Sequence, residues 1–448
     1  MTAPISYRRT LGLFSGTMAV VGGIIGSGIF INPSIVAERV GTPFLTLGVW
    51  GLGGLIALIG AFCFGELGQR RPLAGGSYVY IREALGPLPA FLYAWALLLV
   101  MATGAIAAVA VTFANYALGL AGLPVERATP LAAAAILLLT GINYIGIRPG
   151  ATTTNIFTVL KLGALGFLIV VGLTALPSPA VAAPALTPPG TAAEVFLSIA
   201  KALVPVLFAY GGWQQTNFIA EEIVDPRRNL PRALVLGVII VVVVYLLANV
   251  TYIRSLGTAG LAASPAPAAD ALRQHLGTFG ASLISAGIAA STFGFLNLVI
   301  MVSPRVYQTM AADGLFFPAF ARLHPRYRTP AAALVVQGIW AMALLVTGRY
   351  GALLDYVVFC DWIFFGLAVV SLFVLRRRDH AAGVPEPEDG FRVPGWPVAP
   401  LLFILAAAYV VMGSIASNPG NALLGVGILG LGVPVYLYSR RRGIGPAK

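Results

Sequence analysis

Two glycine-rich strings in this chain have the composition of a site made from backbone. The first runs Val21-Gly22-Gly23-Ile24-Ile25-Gly26-Ser27-Gly28-Ile29-Phe30, and the second runs Phe208-Ala209-Tyr210-Gly211-Gly212-Trp213. Each interior glycine costs a helix about 1 kcal/mol relative to alanine, so both strings weaken any helix that contains them. A helix restarting near Ser27 would present the free N–H groups of Ser27, Gly28 and Ile29, with its positive dipole end, to a carboxylate. Carbonyls freed around Gly23 and Ile24, and around Phe208, Ala209 and Gly211, would suit an ammonium group. Together these groups fit the frame of a small zwitterion. The competing reading of the same glycines is close contact between helices.

Few other residues could do chemistry. Lys161 and Asp361 are charges inside apolar segments, where an ionised side chain costs about 2.5–3.5 kcal/mol unless it is paired. Lys161 could alternatively face lipid and snorkel, and Lys201, near a segment end, is expected to do so. Asp361 is read as a partner for Gln214 or Gln215, as a reader of a polar or cationic substrate group, or as a carboxyl kept neutral by apolar surroundings. Asn297 either lines a cavity or joins two helices by a hydrogen bond. His275, His324 and His380 are scattered without ligand spacing, and Cys63 and Cys360 sit in apolar segments. Neither a metal nor a cofactor is expected. With no nucleophile–base pattern and no nucleotide loop, an enzyme is not expected either.

The elements that carry these residues are membrane spans. Of 448 residues 58% are hydrophobic and 10% charged, with a mean hydropathy of +0.89, a surface no soluble domain could keep in water. Hydrophobic stretches bounded by turn residues predict twelve spans: 10–37, 44–68, 88–119, 130–147, 153–176, 193–220, 232–256, 278–310, 331–347, 351–375, 398–416 and 421–439. The first follows Arg8 and Arg9 as a signal peptide would, yet it is longer than a leader's apolar core and is expected to be retained. With both termini cytoplasmic, 21 of the 28 Lys and Arg residues fall in cytoplasmic loops and five outside. The formal charge of +12 is therefore a topology signal, and nucleic acid is not implied. The glycine strings lie in spans one and six, the pattern of interrupted helices at the binding site of an inverted-repeat transporter.

Further strings carry a resemblance. Gly22 to Phe30, Gly65-Glu66-Leu67 through Pro72, Gly75-Gly76-Ser77-Tyr78 with Tyr80, Phe208 to Asn217, Glu221 with Asn229-Leu230-Pro231, and Pro304-Arg305 with Asp313-Gly314 are similar to the amino acid/polyamine/organocation superfamily, and within it to the L-type amino acid transporters and their bacterial relatives. The resemblance implies an all-α membrane protein with a LeuT-type five-plus-five inverted repeat. Its core would be 1–380, with repeats at about 10–176 and 193–376, followed by a cytoplasmic loop and helices eleven and twelve in 381–448.

In that family Ile24, Gly26, Ser27 and Gly28 would hold the substrate's backbone, and Phe208 would close over it from outside. Ala209, Gly211, Gln214, Asn297 and Asp361 complete the expected substrate site. Lys161 would stand in for a sodium ion, bridging to Gly22 or Gly23 and to Ser291. Glu66, Arg70 and Arg71 are expected as interface anchors or gate pairs. The implied activity is sodium-independent exchange of small neutral L-amino acids in the plasma membrane. Alternatives are proton symport, polar or cationic substrates, and a sensor that moves nothing. Some family members are disulfide-linked to a heavy subunit through a cysteine between spans three and four. The stretch from Gly119 to Thr129 has none, so a monomer is expected.

Overall fold

A computed structural model describes residues 6–175, 190–347, 350–384, 390–417 and 419–441. Arg349, Arg442 and Lys448, counted above for topology, lie outside the described residues. Among those described, nine helices are long and apolar enough to cross a bilayer, and ten if two helices bent by 44° at a short break form one span. The one β feature described is an isolated parallel bridge between Leu11 and Ile223.

In chain order, α1 (Leu13–Ile24) and α2 (Gly28–Val40) form the bent pair. Gly41, at φ 70°, stops α2, and Thr42 with Pro43 starts α3 (Pro43–Arg70) by a side-chain cap. A loop helix, α4 (Ser77–Leu85), leads to α5 (Pro87–Ala96), which passes through a π-helical segment at Leu97–Met101 into α6 (Ala102–Ala121). Next come α7 (Ala128–Tyr144), α8 (Ile147–Thr174) and α9 (Ala192–Ala209), the last opened by a capping box of Thr191 and Glu194. The rest of the sixth span, expected to run to 220 beyond an interruption at its glycine string, is a 3₁₀ helix, Trp213–Glu222.

Two long helices follow, α10 (Pro226–Ala263) and α11 (Pro267–Ala312). Each is broken by a positive-φ glycine, Gly257 and Gly277, one residue from the span ends predicted at 256 and 278. The chain ends with α12 (Pro318–Ala321), α13 (Ala331–Val346), α14 (Tyr350–Ala381), α15 (Val398–Ser417) and α16 (Pro419–Arg441). Helix α10 packs along α3, and α11 packs along α8 and α6, so α1 lies enclosed between α8 and α10.

One end of the bundle is sealed by ion pairs. Arg305 Nε donates to Glu222 Oε1 at 2.8 Å with both side chains buried, and the backbone amides of Thr10 and Leu11 donate to the Glu222 carbonyl at 2.9 and 3.0 Å. Asp313 accepts from Tyr78 and Arg82, and Arg71 joins Glu83 at 2.5 Å and Asp379 at 2.7 Å. Glu66, fully buried, accepts from Arg70, Arg376 and the Val393 amide. Glu66, Arg70 and Arg71 are thus tied into the protein itself.

Removing one member of a buried pair strands the other charge, at a cost of about 3–5 kcal/mol. Arg305→Leu is therefore expected to lower the melting temperature in detergent well below that of Arg82→Leu, whose pair is partly exposed. The double variant Glu222→Leu/Arg305→Met is expected to recover most of the loss, as read by thermal unfolding of the purified chain.

Candidate functional site

The break in the first span is made by Ile25, Gly26 and Ser27. Ile25 leaves the helical region at ψ 89°, its amide still bonded to Val21, and Gly26 N–H turns back to the Ile24 carbonyl at 2.9 Å. The next helix starts at Gly28 without a side-chain cap, and its first internal bond recorded across the start is Phe30 N–H to the Ser27 carbonyl at 3.1 Å. The amides of Ser27, Gly28 and Ile29 find no acceptor among the described residues. Three unused donors at a helix N-terminus form an anion site.

The break in the sixth span lies against the first. Gly212 takes φ 106°, and a β-carbon added there would stand 2.1 Å from the Gly23 carbonyl oxygen. One added at Gly28 would stand 2.9 Å from Ala209 Cβ, and one at Gly22 would meet Thr158 Oγ1 at 2.7 Å. At Gly26 the nearest atom would be Phe295 Cδ2, at 3.9 Å. Close contact therefore accounts for Gly22, Gly23, Gly28 and Gly212, while Gly26 opens on space.

Three of the carbonyls expected open are taken, that of Phe208 by the Gly211 amide at 3.1 Å. Those of Ile24 and Ala209, expected open for an ammonium group, both lie 3.2 Å from the Tyr245 hydroxyl, which ties the two breaks together from behind. The Gly23 and Gly211 carbonyls have no partner among the described residues. Trp50 and Tyr210 wall Tyr245 in, with ring centroids 5.0–5.8 Å apart. Tyr245 was not foreseen, because it follows the run Ile239 to Val244 and reads as one more apolar residue.

Lys161 is fully buried, which excludes a lipid-facing side chain. Its Nζ donates to the Gly22 carbonyl at 3.1 Å and to the Ile25 carbonyl at 2.7 Å. Ser291 Oγ donates to that same Ile25 carbonyl at 3.1 Å. The expected bridge from α8 through the break to α11 is present, with Ile25 in place of Gly23. Ile25 ends the helix and frees its carbonyl, whereas that of Gly23 is pressed against Gly212.

The breaks face a cavity of about 160 Å³ lined by Gly23, Ile24, Gly26, Ser27, Gly28, Phe208, Ala209, Gly211, Gln214 and Asp361, among others. Phe208, 39% exposed, is also part of its lining. Asn297 is not at the cavity. Its amide donates to the Gly150 carbonyl and to Thr154 Oγ1 and accepts from Asn143, each at 2.8 Å, so it clamps α7, α8 and α11. Asp361 bonds neither Gln214 nor Gln215 among the described residues; Gln214 Oε1 instead accepts from the Gly212 amide at 3.0 Å.

The opposite wall includes Leu97 and Met101 of the π-helical segment. The Leu97 and Leu99 carbonyls are met by the Tyr307 hydroxyl at 3.3 Å and Trp340 Nε1 at 2.9 Å. Such segments recur at functional sites, but this one holds no glycine or proline to announce it.

Comparison with known proteins agrees with this architecture. The family described as amino acid permease matches residues 11–429. The human "Large neutral amino acids transporter small subunit 2" is 34% identical over 441 residues, 96% of this chain and 80% of the human protein. The mouse "b(0,+)-type amino acid transporter 1" is 33% identical, covering 92% of this chain and 84% of its own length. The mouse "Asc-type amino acid transporter 1" is 33% identical over 96% and 81%.

The two kinds of glycine can be told apart. Gly212→Ala combines an unfavourable positive φ with a backbone clash and is expected to lower the melting temperature markedly. Gly26→Ala is expected to leave it unchanged while narrowing the cavity. Thermal unfolding of both purified variants checks this.

Proposed function

Because the chain belongs to the amino acid permease family, we propose that it exchanges small neutral L-amino acids by alternating access without sodium. Amino acid transport is the common activity of its relatives, and the chain is a transporter and not an enzyme. The observation that carries the finer reading is the set of unused amides at Ser27, Gly28 and Ile29, beside a cavity lined by Gly211, whose carbonyl has no partner among the described residues. The amides receive the substrate carboxylate and the Gly211 carbonyl its ammonium group, so backbone reads what all α-amino acids share. A cavity of about 160 Å³ matches the roughly 150 Å³ that holds benzene, which limits the side chain to a few atoms.

Lys161 supports sodium independence. Its ammonium sits on carbonyls freed by the break, the kind of oxygen that would otherwise coordinate a cation at this depth. Twelve spans in two inverted repeats, 10–176 and 193–376, accommodate these parts, with both termini cytoplasmic in the plasma membrane. The ion-paired end is then the closed cytoplasmic gate, and Phe208 is the outer lid. Cys63 and Cys360 are both buried in helices, which favours a chain that works without a disulfide-linked heavy subunit, as a monomer.

Counterflow of labelled amino acids in proteoliposomes tests the reading. Uptake of small neutral substrates is expected to be the same with and without sodium, and Lys161→Ala is expected to fall below a tenth of wild type. Strict sodium dependence, or full activity of Lys161→Ala, would contradict it. Uphill uptake driven by an imposed pH gradient would replace exchange with proton symport.

A further inference from the structure

Two groups of arginine differ in what meets them. Arg70, Arg71, Arg82, Arg305 and Arg376 are spent on carboxylates of the chain itself. Arg8, Arg9, Arg148, Arg322 and Arg326 are exposed, and their side chains have no hydrogen bond or ion pair among the described residues. Contacts gather this second group in one corner. The Arg328 guanidinium donates to the Ser6 carbonyl at 3.3 Å, and Thr329 Oγ1 donates to the Tyr144 carbonyl at 2.8 Å. Gln308 accepts from the Tyr7 hydroxyl at 3.2 Å and donates to the Ala321 carbonyl at 3.0 Å. The segment before α1, the turn between α7 and α8, and the loop between α12 and α13 therefore meet. None of the three, taken as 6–15, 141–155 and 318–332, contains an Asp or a Glu. Like charges gathered without a counter-charge repel, and the buried Nε of Arg328 has no partner either.

The corner also has the layers of a bilayer surface. Helices α7 and α8 are joined through Ile145 and Gly146 alone, so Arg148 stands where two spans leave the membrane. Tyr144, His324 and Tyr327 cluster there with ring centroids 4.6–6.1 Å apart, and the Arg326 guanidinium lies 5.5 Å over the Tyr327 ring. Tyrosine is favoured at headgroup depth. Leu138 and Ile145, two helical turns apart and each more than half exposed, run from the corner into the apolar layer.

We infer that this corner binds the headgroup of an anionic phospholipid. The guanidinium forks of Arg8, Arg148 and Arg326 take the phosphate oxygens, and the acyl chains lie along Leu138 and Ile145. A free phosphate or an acidic peptide would use the arginines and leave that apolar strip uncovered. The general excess of basic residues in one set of loops is not enough to make such a site. Arg227, Arg228 and Arg232 are equally exposed, yet their segment also holds Glu221, Glu222 and Asp225.

Native mass spectrometry of the detergent-purified full chain tests the site, with phosphatidylglycerol and phosphatidylcholine of the same acyl chains added in turn. Wild type is expected to hold phosphatidylglycerol at least tenfold more tightly. Arg8→Gln/Arg148→Gln/Arg326→Gln is expected to lose that preference, and no bond within the chain is lost with it. Arg227→Gln/Arg228→Gln/Arg232→Gln removes the same charge elsewhere and is expected to keep the preference. If the first variant does not purify, Arg148→Gln alone is expected to weaken phosphatidylglycerol binding at least threefold. Inorganic phosphate and a glutamate-rich peptide are expected not to displace the lipid. Equal retention of the two lipids, an equal loss in both triple variants, unchanged binding in Arg148→Gln, or displacement by phosphate or peptide would overturn the site.

Discussion

Within a bilayer every backbone N–H and C=O must find a partner, because lipid offers none. This chain interrupts its first and sixth spans at mid-depth, and the rest of the structure can be understood as the handling of the peptide groups set free there. Lys161 and Ser291 meet the Ile25 carbonyl, Lys161 also takes that of Gly22, and Tyr245 covers those of Ile24 and Ala209. What these side chains leave uncovered lies on one face, toward the cavity. Fixed peptide dipoles, already aligned before a ligand arrives, favour a small molecule that carries both signs of charge.

The surrounding helices hold the two breaks in contact. Gly23 and Gly212 bring backbone against backbone at a distance no side chain would allow, and Gly28 does the same against Ala209. Asn297 joins α7, α8 and α11 just beyond the lysine, so the helix carrying Lys161 is fixed on two sides. Ion pairs of Glu222, Asp313, Glu66 and Asp379 tie helix ends together, while Phe208 stays partly exposed in the cavity wall. Pairs that are reversible and bulky side chains that can swing are what alternating closure requires.

Much of this was legible in the residues. Glycine strings in two apolar spans pointed to the breaks, while the competing reading, close helix contact, accounts for Gly22, Gly23, Gly28 and Gly212, and a lysine in an apolar span had to be met by something. The errors have a common origin, since sequence shows which groups are polar but not which partner is nearer. Asn297 had an equal chance of facing the cavity or a helix, and three partners at 2.8 Å decided for the helix. Of the two carbonyls expected for Lys161, Gly22 or Gly23, it meets that of Gly22 and adds that of Ile25, which leaves the helical region at ψ 89°. Tyr245 and the π-helical segment were invisible, being made of residues that fit an ordinary apolar helix equally well, whereas the 3₁₀ half of the sixth span carries Gln214, Gln215, Thr216, Asn217, Glu221 and Glu222, a polar run that does not by itself separate a 3₁₀ turn from an α turn.

The central claim is that the substrate is held by both ends of its α-amino acid frame, and ligand analogues test it most directly. Competition against labelled substrate uptake should be measured for an amino acid, its methyl ester, and the acid lacking the amino group. The account predicts that the parent competes and that both analogues lose at least tenfold in affinity. An analogue lacking either charge that competes as well as the parent would show that the paired breaks do not recognise the zwitterion.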